Sequence, residues 1–180
     1  AAAHMVMEGA PVSGSGFEKA LEDPSDPRSL TLRGLAVARA IHDRYAPSKR
    51  NPYNEIECSD HYARAMASYG VFIAATGFHC HAAQGLLRFE PKIGAKDFAC
   101  PFIGAGAWGR FSQKLTAAGL SATLEVRFGS LRLDRLELTA PGGKSATTSV
   151  TLAGKPIAHR VESNDGRIAI VLEQSLTLGP

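Results

Sequence analysis

Leu120-Ser121-Ala122-Thr123-Leu124-Glu125-Val126-Arg127-Phe128 alternates apolar and polar residues without a break. A period of two is that of a strand with one face buried and one face wet, and it belongs to antiparallel sheets. The alternation predicts Leu120, Ala122, Leu124, Val126 and Phe128 together on the inner face. Downstream, Leu131 and Leu133 continue the pattern, but the apolar phase jumps before Leu136, which predicts a bulge at Asp134-Arg135. Further strands are expected at 86–89, 109–115, 147–152, 157–161, 168–173 and 176–178. Pro141-Gly142-Gly143, Ala153-Gly154-Lys155 and Asn164-Asp165-Gly166 read as the turns between them. Short strands with a turn every ten or so residues make residues 78–180 an antiparallel β-sandwich.

Upstream of Phe78 the period changes to that of helices, so the fold class is α+β, with a helical segment over 1–77. Ala1 to Glu8 carries good helix formers and stops at Gly9-Ala10-Pro11. Residues 11–27 hold Ser13-Gly14-Ser15-Gly16 and Asp23-Pro24-Ser25-Asp26-Pro27, a loop insertion with one helical turn at Phe17 to Leu21. A second helix is expected from Leu30 to Tyr45, with Leu35, Ala38, Ile41 and Tyr45 on one face and Arg33, Arg39 and Asp43 pointing away. The third begins near Glu55 or Ser59 and ends at Thr76-Gly77. Its middle, Ala65 to Gly70, is small and apolar all round, as in a helix packed closely on most sides.

The 180 residues are 44% hydrophobic, enough to bury a core without a metal or disulfide staple. No apolar run reaches the roughly 18 residues of a membrane helix. The net charge of +3 is scattered through the chain, which argues against a nucleic-acid partner. Cys58, Cys80 and Cys100 are odd in number and lack CxxC spacing, so no disulfide framework is implied, although one pair remains open. The first nine residues have no basic stretch ahead of an apolar core and so do not read as a signal peptide, which leaves localisation open with cytoplasmic ahead of secreted. His4-Met5 is open to reading as a cloning scar.

Arg50-Asn51-Pro52-Tyr53-Asn54-Glu55-Ile56-Glu57-Cys58-Ser59-Asp60-His61-Tyr62-Ala63-Arg64 is the chemically densest stretch. Carboxylates, a histidine, tyrosines and arginines crowd a proline-bounded loop that feeds a helix, which suits a ligand site because a rigid helix positions what the loop presents. Glu57, His61, Arg64 and Ser68 would share a helix face. The same residues also fit helix capping, with Asp60 and Arg64 an ordinary i,i+4 pair. His79-Cys80-His81 offers zinc or copper donors, but neighbours in an extended chain point to opposite sides, so only His79 and His81 could converge. A helix terminus with incidental histidines is the favoured reading there, and neither metal nor cofactor is expected. Gly104 to Gly109 lacks the Lys-Ser/Thr of a phosphate loop and reads as a tight turn presenting Trp108. Trp108 and Phe111 are able to stack on a sugar, with core packing as the alternative.

Arg50 to Cys58, followed by Asp60-His61-Tyr62-Ala63-Arg64-Ala65-Met66-Ala67-Ser68-Tyr69, resembles the C-terminal signature of the non-lysosomal glucosylceramidase family, glycoside hydrolase family 116. The resemblance extends back through Gly34 to Tyr45 and to Ala2 to Gly9, which would make His4-Met5 native sequence. Forward, it includes Leu87 to Lys92, Ala107 to Ser112 and Gly129-Ser130-Leu131. It implies a retaining β-glycosidase acting on glucosides, glucosylceramide among them, with the helices here as the end of an (α/α)6 barrel. Glu55 and Arg64 match positions that hydrogen-bond sugar hydroxyls, and His61 and Trp108 join them as substrate-binding candidates. The family's nucleophile and general acid lie in segments without a counterpart here, so catalysis by this chain alone would fall to Glu55, Glu57 or Asp60. Barrel helices standing alone would expose Met66, Tyr69, Phe72 and Ile73, which predicts a homo-oligomer or a barrel-completing chain. A non-catalytic carbohydrate-binding or assembly module is the alternative.

Overall fold

A computed structural model describes residues 1–45, 48, 65–139, 148–164 and 166–180. The chain is mixed α+β and divides into two compact units, Ala1–Thr76 and Gly77–Pro180. The first holds helices α1 (Ala2–Glu8), α2 (Phe17–Glu22), α3 (Ser29–His42) and α4 (Ala65–Thr76). The beginning expected for the third helix, and most of the dense segment that leads into it, lie outside the described residues.

Small residues set the packing of the helical unit. A Cβ on Gly34 would sit 2.8 Å from both the Ala2 carbonyl oxygen and Val6 Cγ2, so only glycine lets α3 come this close to α1. Gly9 works in the same way: its φ of −75° is ordinary extended backbone, and a Cβ there would collide with Thr31. Gly9 is thus both the C-cap of α1, donating its N–H to the Met5 carbonyl at 3.0 Å from extended rather than left-handed backbone, and a close-approach glycine. Thr31 is fully buried and donates its hydroxyl to the Ala10 carbonyl at 2.8 Å. Burial on α3 follows Ser29, Thr31 and Gly34, while Ile41, expected to face inward, is exposed. Leu35, Ala38 and Tyr45 of the expected stripe are half-buried, but the deepest contact is made by backbone approach, which favours the smallest side chains over the most hydrophobic. Val6, Ala74 and Ala75 form the buried cluster, with Leu35 packed against it. The 11–27 stretch is pinned by Arg28, which pairs with Asp26 at 2.8 Å and donates to the carbonyls of Ser13 and Ser15 at 3.1 Å each.

Among the described residues the second unit holds ten strands: β1 (His79–His81), β2 (Leu86–Phe89), β3 (Asp97–Ile103), β4 (Ala107–Thr116), β5 (Gly119–Gly129), β6 (Leu131–Thr139), β7 (Thr151–Leu152), β8 (Lys155–Pro156), β9 (His159–Asn164) and β10 (Arg167–Leu178). They form a five-stranded sheet ordered β1-β2-β6-β10-β9, a three-stranded sheet β3-β4-β5 and the small β7-β8 hairpin. Neighbouring strands run antiparallel except β2 and β6, which are parallel. That pair departs from the all-antiparallel expectation because the chain leaves β2, builds the whole three-stranded sheet, and only then returns beside β2 as β6. Parallel neighbours need such a long crossover.

Phe89 from β2 stacks on Phe111 from β4 with ring centroids 3.8 Å apart, so the two larger sheets meet face to face at these rings. Phe102 stands edge-on to Phe89 at 6.1 Å, and Phe78 leans on both. Phe89, Phe102 and Phe111 are buried almost completely. Gly109 pairs with Phe102 across β3 and β4, and a Cβ on Gly109 would strike the Glu125 carbonyl and come 2.9 Å from the Phe102 ring.

Several strand boundaries differ from the alternation. Asp97–Ile103 is a full strand that its pattern did not reveal, since Pro101 interrupts it; as the edge of its sheet it tolerates a proline. Of the strand expected at 147–152, the described residues 148–152 hold only Thr151–Leu152, and the one expected at 157–161 begins at His159, in β9. The segments 168–173 and 176–178 are one continuous strand, β10. The phase jump in β6 is real: the N–H groups of Asp134 and Arg135 both donate to the Gly85 carbonyl, at 2.8 and 3.1 Å, and the β6–β10 register shifts opposite them.

Candidate functional site

Along β4, Ala107, Gly109, Phe111 and Gln113 face inward and Trp108 and Arg110 face out. On β5 the inner partners are Leu120, Ala122, Leu124 and Val126. Gly109 pairs with Val126, yet Trp108 pairs with Phe128, so β5 carries one extra residue at this point. An extra residue reverses the side-chain phase. Phe128 is thereby turned from the inner face, where strict alternation put it, to the outer face beside Trp108.

The outer face of the three-stranded sheet consequently carries an apolar row in register, Ile103, Trp108 and Phe128, one residue from each strand. All three are exposed, Trp108 at 49%, Ile103 at 61% and Phe128 at 63%. The indole and the phenyl ring lie 6.1 Å apart and are inclined by only 20°. The adjacent row on the same face is Pro101, Arg110 and Glu125. Arg127 pairs with Glu125 at 3.2 Å. Apolar rings flanked by charged hydrogen-bonding groups can receive a ligand that is itself apolar on one face and polar at its edge.

The sequence treated Trp108 and Phe111 as equivalent, and the structure separates them. Phe111 is core and cannot reach a ligand. The partners of Trp108, Ile103 and Phe128, were not anticipated: one lies on an unforeseen strand and the other was assigned to the core. Glu55, Glu57, Asp60, His61 and Arg64 lie outside the described residues.

His79 and His81 stand on strand β1 rather than at a helix end, both exposed, with Cys80 between them. Gly77, with φ +60°, ends α4 ahead of them. Among the described residues no group of three or more His, Cys, Asp and Glu is placed to hold a metal ion. Cys80 and Cys100 are both unpaired thiols. Burial pushes the Cys80 thiol up and the Cys100 thiol up to about 11, so neither is poised as a nucleophile. No helix among the described residues is long and apolar enough to cross a membrane.

The five-stranded sheet carries a chain of ion pairs, Arg88–Glu137 at 2.6 Å, Arg135–Glu137 at 2.7 Å, Arg135–Glu162 at 2.7 Å and Arg160–Glu162 at 3.2 Å. Burial on its own would raise the Glu137 carboxyl, but hydrogen bonds from Arg135 and Arg88 outweigh it and hold the group below the ordinary carboxylate range. Each acid here is neutralised by two guanidiniums, an arrangement that suits a structural ladder more than proton transfer.

Compared with known proteins, the chain matches no family model and no curated protein.

Proposed function

We propose that this chain is a carbohydrate-active protein, a fragment or subunit of a β-glycosidase, that holds β-linked glycosides on the outer face of the β3-β4-β5 sheet. The observation that carries the reading is the exposed Ile103-Trp108-Phe128 row. Pyranose rings present an apolar C–H face and a rim of hydroxyls. Trp108 and Phe128 offer π-faces to the former, and Arg110, Glu125 and Arg127 offer charged hydrogen-bond partners to the latter. Isothermal titration with cellobiose and cellotetraose tests it. Saturable binding is expected, weakened about tenfold by Trp108→Ala, since a stacking contact worth up to ~1.5 kcal/mol corresponds to that factor. Unchanged affinity in the folded variant removes the site.

Hydrolysis belongs to the proposal through the Arg50 to Tyr69 resemblance, with Glu55, Glu57 and Asp60 as the carboxylates and Glu55, Arg64 and His61 on the sugar. On that reading the helical unit corresponds to the end of an (α/α)6 barrel. Met66, 84% exposed, and Tyr69 would then be covered by the rest of such a barrel, supplied by a second copy or another chain. Turnover of an aryl β-glucoside lost in Glu55→Gln, Glu57→Gln or Asp60→Asn, with folding intact, supports hydrolysis. Turnover that survives all three leaves the binding-module alternative.

A further inference from the structure

Away from the aromatic stack, the space between the two larger sheets of the β unit opens into a cavity of about 590 Å³. Its walls are β5 on one side and β6 and β10 on the other, with Leu124, Val126, Leu136, Leu138, Ile168 and Ile170 at its centre. Among the described residues that line it none is charged or aromatic, and the hydroxyls there belong to Thr123, Thr148, Ser149 and Thr151. The volume falls within the range of ligand sites, roughly 300–1,000 Å³.

We propose that this cavity binds a single unbranched aliphatic chain, of the fatty acyl class. Three features select that occupant. Facing sheets stand about 10 Å apart, so the space between them accepts a chain one methylene wide and excludes a bulky ring system. The centre of the walls is branched aliphatic, and the described residues that line it offer no π-face for a sugar or a nucleobase and no guanidinium or ammonium for a phosphate. Methylenes gain dispersion contact with the branched aliphatic side chains at the centre of the cavity. Leu133 and Leu178 are buried at the β6–β10 wall and Leu152 is partly exposed, so the chain enters with its polar end outward beside the hydroxyl-bearing residues 148–151. The cavity is separate from the outer-face row and does not depend on what that row binds.

The probe is cis-parinaric acid titrated into the delipidated full chain, followed by displacement with saturated fatty acids of eight, twelve and sixteen carbons. Saturable one-to-one binding is expected, with displacement strengthening by roughly fourfold per added methylene until the cavity is filled. Leu136→Trp or Ile170→Trp fills the volume and is expected to weaken binding at least tenfold with the circular dichroism spectrum retained. Should either fail to fold, Leu172→Phe provides the milder obstruction. Hexadecanoic acid and lysophosphatidylcholine as competitors separate a free fatty acid from a membrane lipid as the source of the chain; displacement by either supports the site. Absence of saturable binding, affinity independent of chain length, or full affinity in a folded cavity-filling variant overturns it.

Discussion

The two ends of the same inter-sheet layer are built from different chemistry. At one end Phe89, Phe102 and Phe111 interlock, with rings 3.8 to 6.1 Å apart and almost no exposure. At the other, Leu136, Ile168 and Ile170 line open volume and are only partly buried. Aromatic rings span the gap between sheets because each is long and flat, and Gly109 makes room for one of them. Branched aliphatics of shorter reach leave the gap unbridged. The fold is thereby divided into an end that supplies rigidity and an end that can admit a ligand.

The sharpest way to break this contrast is to truncate one residue from each end. Phe111→Ala should cost about 3–5 kcal/mol in urea unfolding, because it removes a fully buried ring. Ile170→Ala should cost about 1–2 kcal/mol, since that side chain already borders open volume. Equal losses would mean that the two ends pack alike. Gly109→Ala should follow, at about 1–3 kcal/mol, as the added methyl is forced against the Glu125 carbonyl and the Phe102 ring.

The ion-pair ladder gives a smaller effect with a defined sign. Glu137 titrates lower in the folded chain than in the unfolded one, so its contribution is complete above the unfolded value near ~4.3 and is lost as pH falls through the folded value. Glu137→Gln should cost about 1–3 kcal/mol at neutral pH and flatten the decline in stability below about pH 4, read from urea midpoints across pH. An unaltered acid slope would remove Glu137 from the account. The least effect is kinetic: Cys100, with its thiol pushed up to about 11, should resist iodoacetamide at pH 8 while folded and react once unfolded, as read from peptide mass spectrometry. Rapid labelling in the folded state would contradict its burial.

Trp108→Ala belongs to the outer surface and should alter stability by less than about 1 kcal/mol while changing sugar affinity, which separates the row from both ends of the core.

The change of period from helix to strand near Phe78, the short helix in the 11–27 stretch, the limits of β2 and the bulge at Asp134-Arg135 were legible because each depends on residues near one another in the chain. Trp108 was legible as a candidate from its place after a glycine-rich turn. Its two neighbours were not. Ile103 sits on a strand whose proline conceals it, and Phe128 continues an unbroken alternation that gives no sign of an inserted residue.

What the sequence by itself determined is the broad class of its two parts, helices ahead of Gly77 and mostly strands after it, together with a concentration of ligand-type residues over 50–64. That information is local, because hydrophobic periodicity is felt within a few residues. What only the tertiary structure decided is which face each residue occupies where strands meet. Pairing β5 with β4 set the register, the register shift at Val126 turned Phe128 outward, and that rotation placed a second ring beside Trp108. A register is a relation between two strands, and a single strand's pattern cannot hold it.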